Sequence, residues 1–179
     1  MNYLEIPDVA YTAGLFDGEG CISISVNRMG MLGTQIYLVN TNKEILEWLR
    51  DTTGIGSVTI HHSYSIKYPN QKISYSWHVY SQDKIRDFLE IIQPFLKIKA
   101  RQCKIMLEYC YSRLNSRSRL TSKYSHNSYS EYENNLVAEL RVLNRRGVVM
   151  GEEIKVLEAA YKANHMHALV GLEMVNRRA

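Results

Sequence analysis

Between Ala10 and Gly20 the chain reads AYTAGLFDGEG, with the small residues Ala10, Gly14 and Gly18 at every fourth position. On a helix that spacing lays them along one face as a groove, while Val9, Thr12 and Phe16 can turn toward a core. A glycine inside a helix costs about 1 kcal/mol relative to alanine, so the groove needs an offsetting gain. Close approach of a second helix backbone supplies it, by the small-xxx-small logic described for membrane helices.

Two acids, Asp17 and Glu19, close this helix. A carboxylate at a helix C-terminus meets a dipole that is already negative, and a cation would reverse the sign. Mg²⁺ is commonly held by one or two carboxylates with phosphate oxygens and water. If the groove joins two copies of the helix, each chain delivers one Glu19 to a shared two-fold axis. Two carboxylates with divalent ions beside DNA suit phosphodiester hydrolysis. By spacing alone, a solvent-exposed DGEG turn fits the same residues.

Around this helix the pattern switches period. Pro7 and Asp8 are placed to start it near Val9, and it runs to about Gly18. Cys21 to Asn27 then alternates strictly, with Ile22, Ile24 and Val26 on one side, and Thr34 to Asn40 alternates after the glycines at 30 and 33. A helix is expected from about Asn42 to Thr53, stopped by Gly54 and Gly56. Strands follow over Ser57–Ser63 and Ile73–Tyr80, the second burying Ile73, Tyr75, Trp77 and Val79, and Ser81 can cap a third helix. The order is α-β-β-α-β-β-α. A longer helix, about Lys99 to Leu114, carries Cys103, Met106 and Cys110 on one stripe. Residues 115–130 read as a mobile basic loop, and helical patterns return over Glu131–Arg145 and Glu152–Asn164.

Two hairpins with helices between them predict one antiparallel sheet covered by helices on a single face, an α+β fold. Its uncovered face would display Ser23, Ser25, Asn27, Gln35, Tyr37, Thr59, His61, Ser74, Ser76, His78 and Tyr80. Alternation places only one of His61 and His62 there. Such side chains donate and accept hydrogen bonds, as base readout needs, although any half-exposed antiparallel sheet is polar outside. The net charge is +4, yet Lys97 to Lys123 holds eight basic residues against one acid, Glu108. That concentration, with Arg117, Arg119 and Lys123 in the loop, suits phosphate binding; a solvated helix face reads equally well.

Composition bounds the rest. At 179 residues the chain supports one well-buried core, so a single domain is expected over 1–179. No apolar run is long enough to span a membrane. Three cysteines, Cys21, Cys103 and Cys110, lack metal-ligand spacing and point to a reducing, intracellular setting.

Thr12 to Gly20, T-A-G-L-F-D-G-E-G, resembles the nine-residue signature of the LAGLIDADG homing endonucleases, with Thr12 for the usual Leu and Glu19 where the second Asp is commoner. The element order, the Gly-Ile-Gly turn at 54–56 and QPFLKIKARQ at Gln93–Gln102 extend the resemblance over roughly residues 8–115. LNRRG at Leu143–Gly147 is similar to a common closing element. The resemblance implies a saddle-shaped sheet over residues 8–115, a basic loop over 116–130 and a helical extension over 131–179. It implies Glu19 as the metal-binding carboxylate, with Gly18 beside it at the metal. Lys99 would be the basic residue near the scissile phosphate, and Asn40 (or Asn42) the water-ordering residue. Asp17 would be structural at the helix end, and Ala10, Gly14, Asp17 and Gly18 would form a dimer interface.

One motif implies a homodimer on a near-palindromic double-stranded target. Mg²⁺ is the expected cofactor, with Mn²⁺ substituting and Ca²⁺ supporting binding without cleavage. The resemblance places such a protein in an organelle or in a bacterial or phage cytoplasm. It leaves two alternatives open: an RNA maturase acting on its host intron, and a non-cutting DNA-binding protein.

Overall fold

The computed structural model describes residues 5–26, 31–62, 72–119 and 129–145, with positions 115–119 described by backbone alone. Asn27, Lys123 and the helix expected over Glu152–Asn164 lie outside the described residues. The elements in order are α1 (Ile6–Glu19), β1 (Gly20–Val26), β2 (Leu32–Asn40), α2 (Lys43–Thr53), β3 (Ser57–His62), β4 (Ser74–Val79) and α3 (Gln82–Ile92). A single 3-10 turn, Gln93–Phe95, then leads to α4 (Ala100–Arg119) and α5 (Glu131–Leu143). The expected α-β-β-α-β-β-α order is therefore present.

Boundaries moved where no local signal marks them. Helix α1 begins at Ile6, with Pro7 in the first turn where its missing N–H costs nothing. Helix α4 runs five residues past Leu114 into the stretch expected as loop, because no Gly or Pro interrupts it before Arg119. Ile73 and Val26, expected in the core, are each 47% exposed. Val26 ends the edge strand β1 and Ile73 precedes the first residue of β4, so both lie at the margin of the sheet.

The four strands form one antiparallel sheet in the order β1-β2-β4-β3. Ile22, Ile24, Ile36, Leu38, Trp77 and Val79 face a core completed by Phe16 of α1, Leu46 and Leu49 of α2 and Ile85, Phe88 and Leu89 of α3. Phe88 lies at its centre, 5.6 Å from the Phe16 ring and 5.3 Å from that of Trp77. Cys103, Met106 and Cys110 of α4 are fully buried, as their spacing predicts. Among the described residues no helix is long and apolar enough to cross a membrane.

Two polar devices hold later segments to this core. Arg113 and Glu133 pair at 3.5 Å with side chains only 7% and 2% exposed. Glu133 also closes a capping box with Ser130 at the start of α5. The Tyr129 ring lies 4.6 Å from the Arg113 guanidinium, and its hydroxyl accepts from the Leu32 amide at 2.8 Å. Past α5, the Asn144 side chain donates to the Ile22 carbonyl at 2.8 Å. Residues beyond 115 are thus tied to both strands of the first hairpin.

The Gly-Ile-Gly turn positions Trp77. Gly54, at φ 69°, closes α2 by donating to the Arg50 carbonyl, and the indole N–H donates to the Ile55 carbonyl at 2.9 Å. Gly56 sits at φ 82°, and a Cβ there would lie 2.5 Å from Trp77 Nε1 and 2.9 Å from the His78 carbonyl. Gly56→Ala is therefore expected to destabilise the fold by about 2–3 kcal/mol. Urea unfolding should show a lower midpoint at unchanged slope.

Candidate nucleic-acid interface and carboxylate site

Ala10, Gly14 and Gly18 all lie exposed on α1, and a Cβ built on either glycine meets nothing within 4 Å. Among the described residues the expected groove is thus open. Gly20 differs: its Cβ would lie 2.5 Å from the Phe16 carbonyl, so only glycine allows the tight passage from α1 into β1.

Asp17 does not belong to that groove. Its side chain is buried and turned away, accepting the backbone N–H groups of Lys97, Ile98 and Lys99 at 2.6, 3.1 and 2.9 Å. Burial works against the charged carboxylate, but the three N–H groups outweigh it and hold the Asp17 pKa below its usual value. These amides precede α4, so the acid stranded at the negative end of α1 is stabilised at the positive end of another helix. In return, the Lys99 ammonium donates to the Asp17 main-chain carbonyl at the α1 C-terminus. The structural role expected for Asp17 at the helix end takes the form of this internal clasp.

Glu19 has no such partner. It is exposed, and among the described residues no hydrogen bond or ion pair engages it. Gly18 is exposed beside it, where helix carbonyls run out of intrahelical donors. Among the described residues no three His, Cys, Asp or Glu side chains gather as a metal site. A carboxylate with neighbouring carbonyl oxygens is nonetheless the hard donor set that Mg²⁺ takes.

On the uncovered face the register aligns the expected readout residues. Ser23 stands opposite Gln35, Cys21 opposite Tyr37, Tyr37 opposite His78 and Thr59 opposite Ser76. Ser25 and Thr59 are exposed and Ser74 is partly so, while Tyr80 lies 5.1 Å from the His78 ring. Ser76 is the exception: in a central strand, between Val39 and Thr59, it is 8% exposed and overshadowed by larger neighbours. Val39 shares this face, which strand phase could have shown.

The expectation for the histidines is also corrected. Ile60 pairs with Tyr75 but His62 with Ser74, so β3 carries a bulge of one extra residue. Strict alternation ends there, and the His61 and His62 rings stack at 5.6 Å with 23° between their planes. Both therefore share the side of Ser74, the uncovered face. No sequence signal announced the bulge.

Residues 7–93 match a family model described as a LAGLIDADG-like domain. The chain carries a LAGLIDADG-like domain. The same fold appears in the homing endonuclease I-CvuI in complex with its target in the presence of Ca, at TM-score 0.58 and 19% identity, covering 85% of this chain and 93% of that one. It appears in the archaeal intron-encoded homing endonuclease I-Vdi141I complexed with DNA, at TM-score 0.58, 21% identity and coverage of 86% and 94%. The LAGLIDADG meganuclease I-AabMI bound to uncleaved DNA aligns at TM-score 0.55 and 16% identity, covering 83% of this chain but 48% of that chain. Comparison with curated protein sequences finds no match.

Within the LAGLIDADG-like domain, Gly20 pairs with Leu38, so Asn40 lies at the sheet end where Glu19 enters. Its side-chain oxygen accepts the Asn42 amide at 2.8 Å, and the Asn42 oxygen caps α2 through the Ile45 amide. Both side-chain oxygens thus hold the turn into α2, and each residue keeps its side-chain NH₂ available, so Asn40 and Asn42 both remain candidates. The basic segment is less free than its charge suggests. Arg101 pairs with Glu139 at 2.8 Å, Lys104 with Glu108 at 4.0 Å, and Arg113 is in the buried pair. Arg117 and Arg119 lie on the last turns of α4, their side chains outside the described residues. Cys103 and Cys110 are pushed up to about 12 by burial, so both are inert thiols in the core.

Replacing Asp17 with Asn weakens three hydrogen bonds to a charged acceptor and should cost about 2 kcal/mol. For a protein of this size the melting temperature should fall by roughly 4–8 °C. A depressed carboxyl pKa stabilises above the unfolded value of 3.8 and loses that effect as pH falls through the folded value. Melting curves from pH 7 downward should therefore show the wild-type advantage constant to about pH 4 and shrinking below it.

Proposed function

We propose that the chain is a homodimeric, Mg²⁺-dependent DNA endonuclease that breaks both strands of a long, nearly palindromic site. The observation that carries this reading is Glu19: exposed, unpartnered and at the end of an open groove of small residues. One chain supplies one such carboxylate, and pairing α1 with its copy brings a second to the same axis. The relatives support the arithmetic, since this chain spans nearly the whole of I-CvuI and I-Vdi141I but half of I-AabMI. A half-length unit completes its site by using a second copy.

The protein's own groups divide the work. Glu19 and the Gly18 carbonyl offer oxygen ligands, and Mg²⁺ bound there supplies Lewis acidity toward phosphoryl oxygens and activates water. Lys99 spends one ammonium N–H on the Asp17 carbonyl and has two left, which place positive charge near phosphate. Asn40 can orient a water through its free NH₂. Base readout falls to Ser23, Ser25, Gln35, Tyr37, Thr59, His78 and Tyr80 on the uncovered face. Strand β2 has nine residues, or about 30 Å. Two sheets end to end then cover roughly 18 base pairs at ~3.4 Å each.

Glu19→Gln keeps the size of the side chain and removes its charge. Selection of cut sites from a duplex library in Mg²⁺ would supply the target. On that target the variant should cut on the order of a thousandfold more slowly, a loss of several kcal/mol of transition-state stabilisation. Binding of uncut duplex in Ca²⁺ should stay near wild type. Equal cutting rates would sink the site assignment; binding without cutting by the wild type would indicate a non-cutting DNA-binding protein.

Gly14→Leu tests the dimer. The side chain would fill the open groove and hold the helices apart, so sedimentation at micromolar concentration should shift from dimer to monomer. A wild-type protein that is monomeric both free and on DNA would overturn the shared site.

A further inference from the structure

The bulge in β3 makes a feature that neither the fold nor the carboxylate site requires. His61 and His62 stand exposed and stacked on the uncovered face, at the end of an edge strand. Their place along the sheet follows from the register. His62 pairs with Ser74, and Tyr75 pairs with Asn40, so the two rings lie at the same sheet end as Asn40 and the entry of Glu19 into β1. From β1 to β3 is three strand spacings, about 14 Å. The pair therefore flanks the cutting position rather than the far end of the bound duplex.

The ring chemistry is partly fixed. His62 Nδ1 lies 3.3 Å from the His61 carbonyl oxygen. A carbonyl can only accept, so the Nδ1 of His62 carries the proton in the neutral ring. Its Nε2 then accepts when the ring is neutral and donates when the ring is protonated. Only the protonated form can bond a phosphate oxygen through that atom. Histidine is the side chain whose charge changes between about pH 5 and 8.

Neighbouring charges leave room for this change. Strand β4 brings Ser74 and Tyr75, with Lys72 just before it. Helix α2 packs on the covered face and carries Glu44, Lys43 paired with Glu47 at 2.8 Å, and Arg50 paired with Asp51 at 2.7 Å. The Lys43 ammonium lies 6.0 Å from the Tyr75 ring. None of these carboxylates is hydrogen-bonded to either imidazole among the described residues. Two charged rings this close repel each other, and a phosphate between or beside them offsets the repulsion.

We propose that His61 and His62 form a proton-gated contact to the DNA backbone beside the cutting position. This rests on the DNA-binding reading above. Phosphate favours the imidazolium, so binding takes up protons; the contact is fully present at low pH and is lost as pH rises. Because phosphates carry no sequence, the effect is the same on any duplex.

The test is the affinity for a random-sequence duplex in Ca²⁺ at pH 6 and pH 8, at fixed ionic strength, for wild type, His61→Gln, His62→Gln and the double variant. Wild type should gain about five- to tenfold more affinity on going to pH 6 than the double variant does. Each single variant should lose part of that gain, and all four proteins should bind alike at pH 8. At pH 6 the salt dependence of the double variant should be shallower by about one unit of slope per protomer, or about two for the dimer. Identical pH ratios in wild type and double variant would overturn the proposal while leaving DNA binding intact. A wild type that binds no duplex at either pH would remove the DNA-binding reading and this contact together.

Discussion

The Asp17 clasp is the contact on which the site geometry depends. Eighty residues separate Asp17 from the three amides it accepts, and no apolar side chain takes part. The carboxylate ends α1 and caps the approach to α4, while Lys99 returns a bond to the α1 carbonyl. Two helix ends of opposite polarity are thereby joined head to tail, each offsetting the other's unsatisfied groups. The consequence is chemical: Lys99 is fixed two residues from Glu19, and Glu19 is left as the uncompensated charge. Under the function proposed above, one exposed carboxylate beside a restrained ammonium would receive a cation and a phosphate.

Why Glu19 remains exposed follows from the same arrangement. Gly20 must lie against the Phe16 carbonyl for β1 to begin, so the chain leaves α1 abruptly and the residue before it projects outward. The open groove runs along the same helix, and among the described residues nothing covers Gly14 or Gly18. Glycines that destabilise a lone helix, with no contact of their own, make sense only if another backbone approaches. On the proposed dimeric reading, one chain carries half of the functional site.

Much of this was legible in the sequence because periodicity reports burial directly. The alternation in Cys21–Val26 and Thr34–Asn40 gave the faces, and the small-residue spacing on α1 gave the groove. The stripe Cys103, Met106 and Cys110, spaced by three and four residues, gave the buried side of α4. What was not legible came from contacts distant in sequence or from one-residue irregularities. That Asp17 is structural could be expected, but not which groups it holds, because its partners are about 80 residues away and are backbone amides that leave no trace in residue type. Arg101 and Arg113 counted as free charge because Glu139 and Glu133, which pair with them, lie on α5. The β3 bulge changed which face His61 and His62 share, and a single inserted residue has no compositional mark.

These corrections redistribute the sources of DNA affinity. With Arg101, Lys104 and Arg113 engaged internally, the basic stretch contributes less phosphate attraction than its formal charge implies. Ser76, shaded by Val39 and Thr59, is a poor reader of base edges. On the DNA-binding reading proposed above, phosphate attraction would then come from a smaller set of groups near the sheet, Lys99 by the carboxylate and the histidine pair on β3. The first has its position set by the clasp, and the last has its charge set by the solution. Under that proposal, an ammonium fixed beside the carboxylate would keep the chemistry there constant, while imidazoles about three strands away would let the hold on DNA vary with pH.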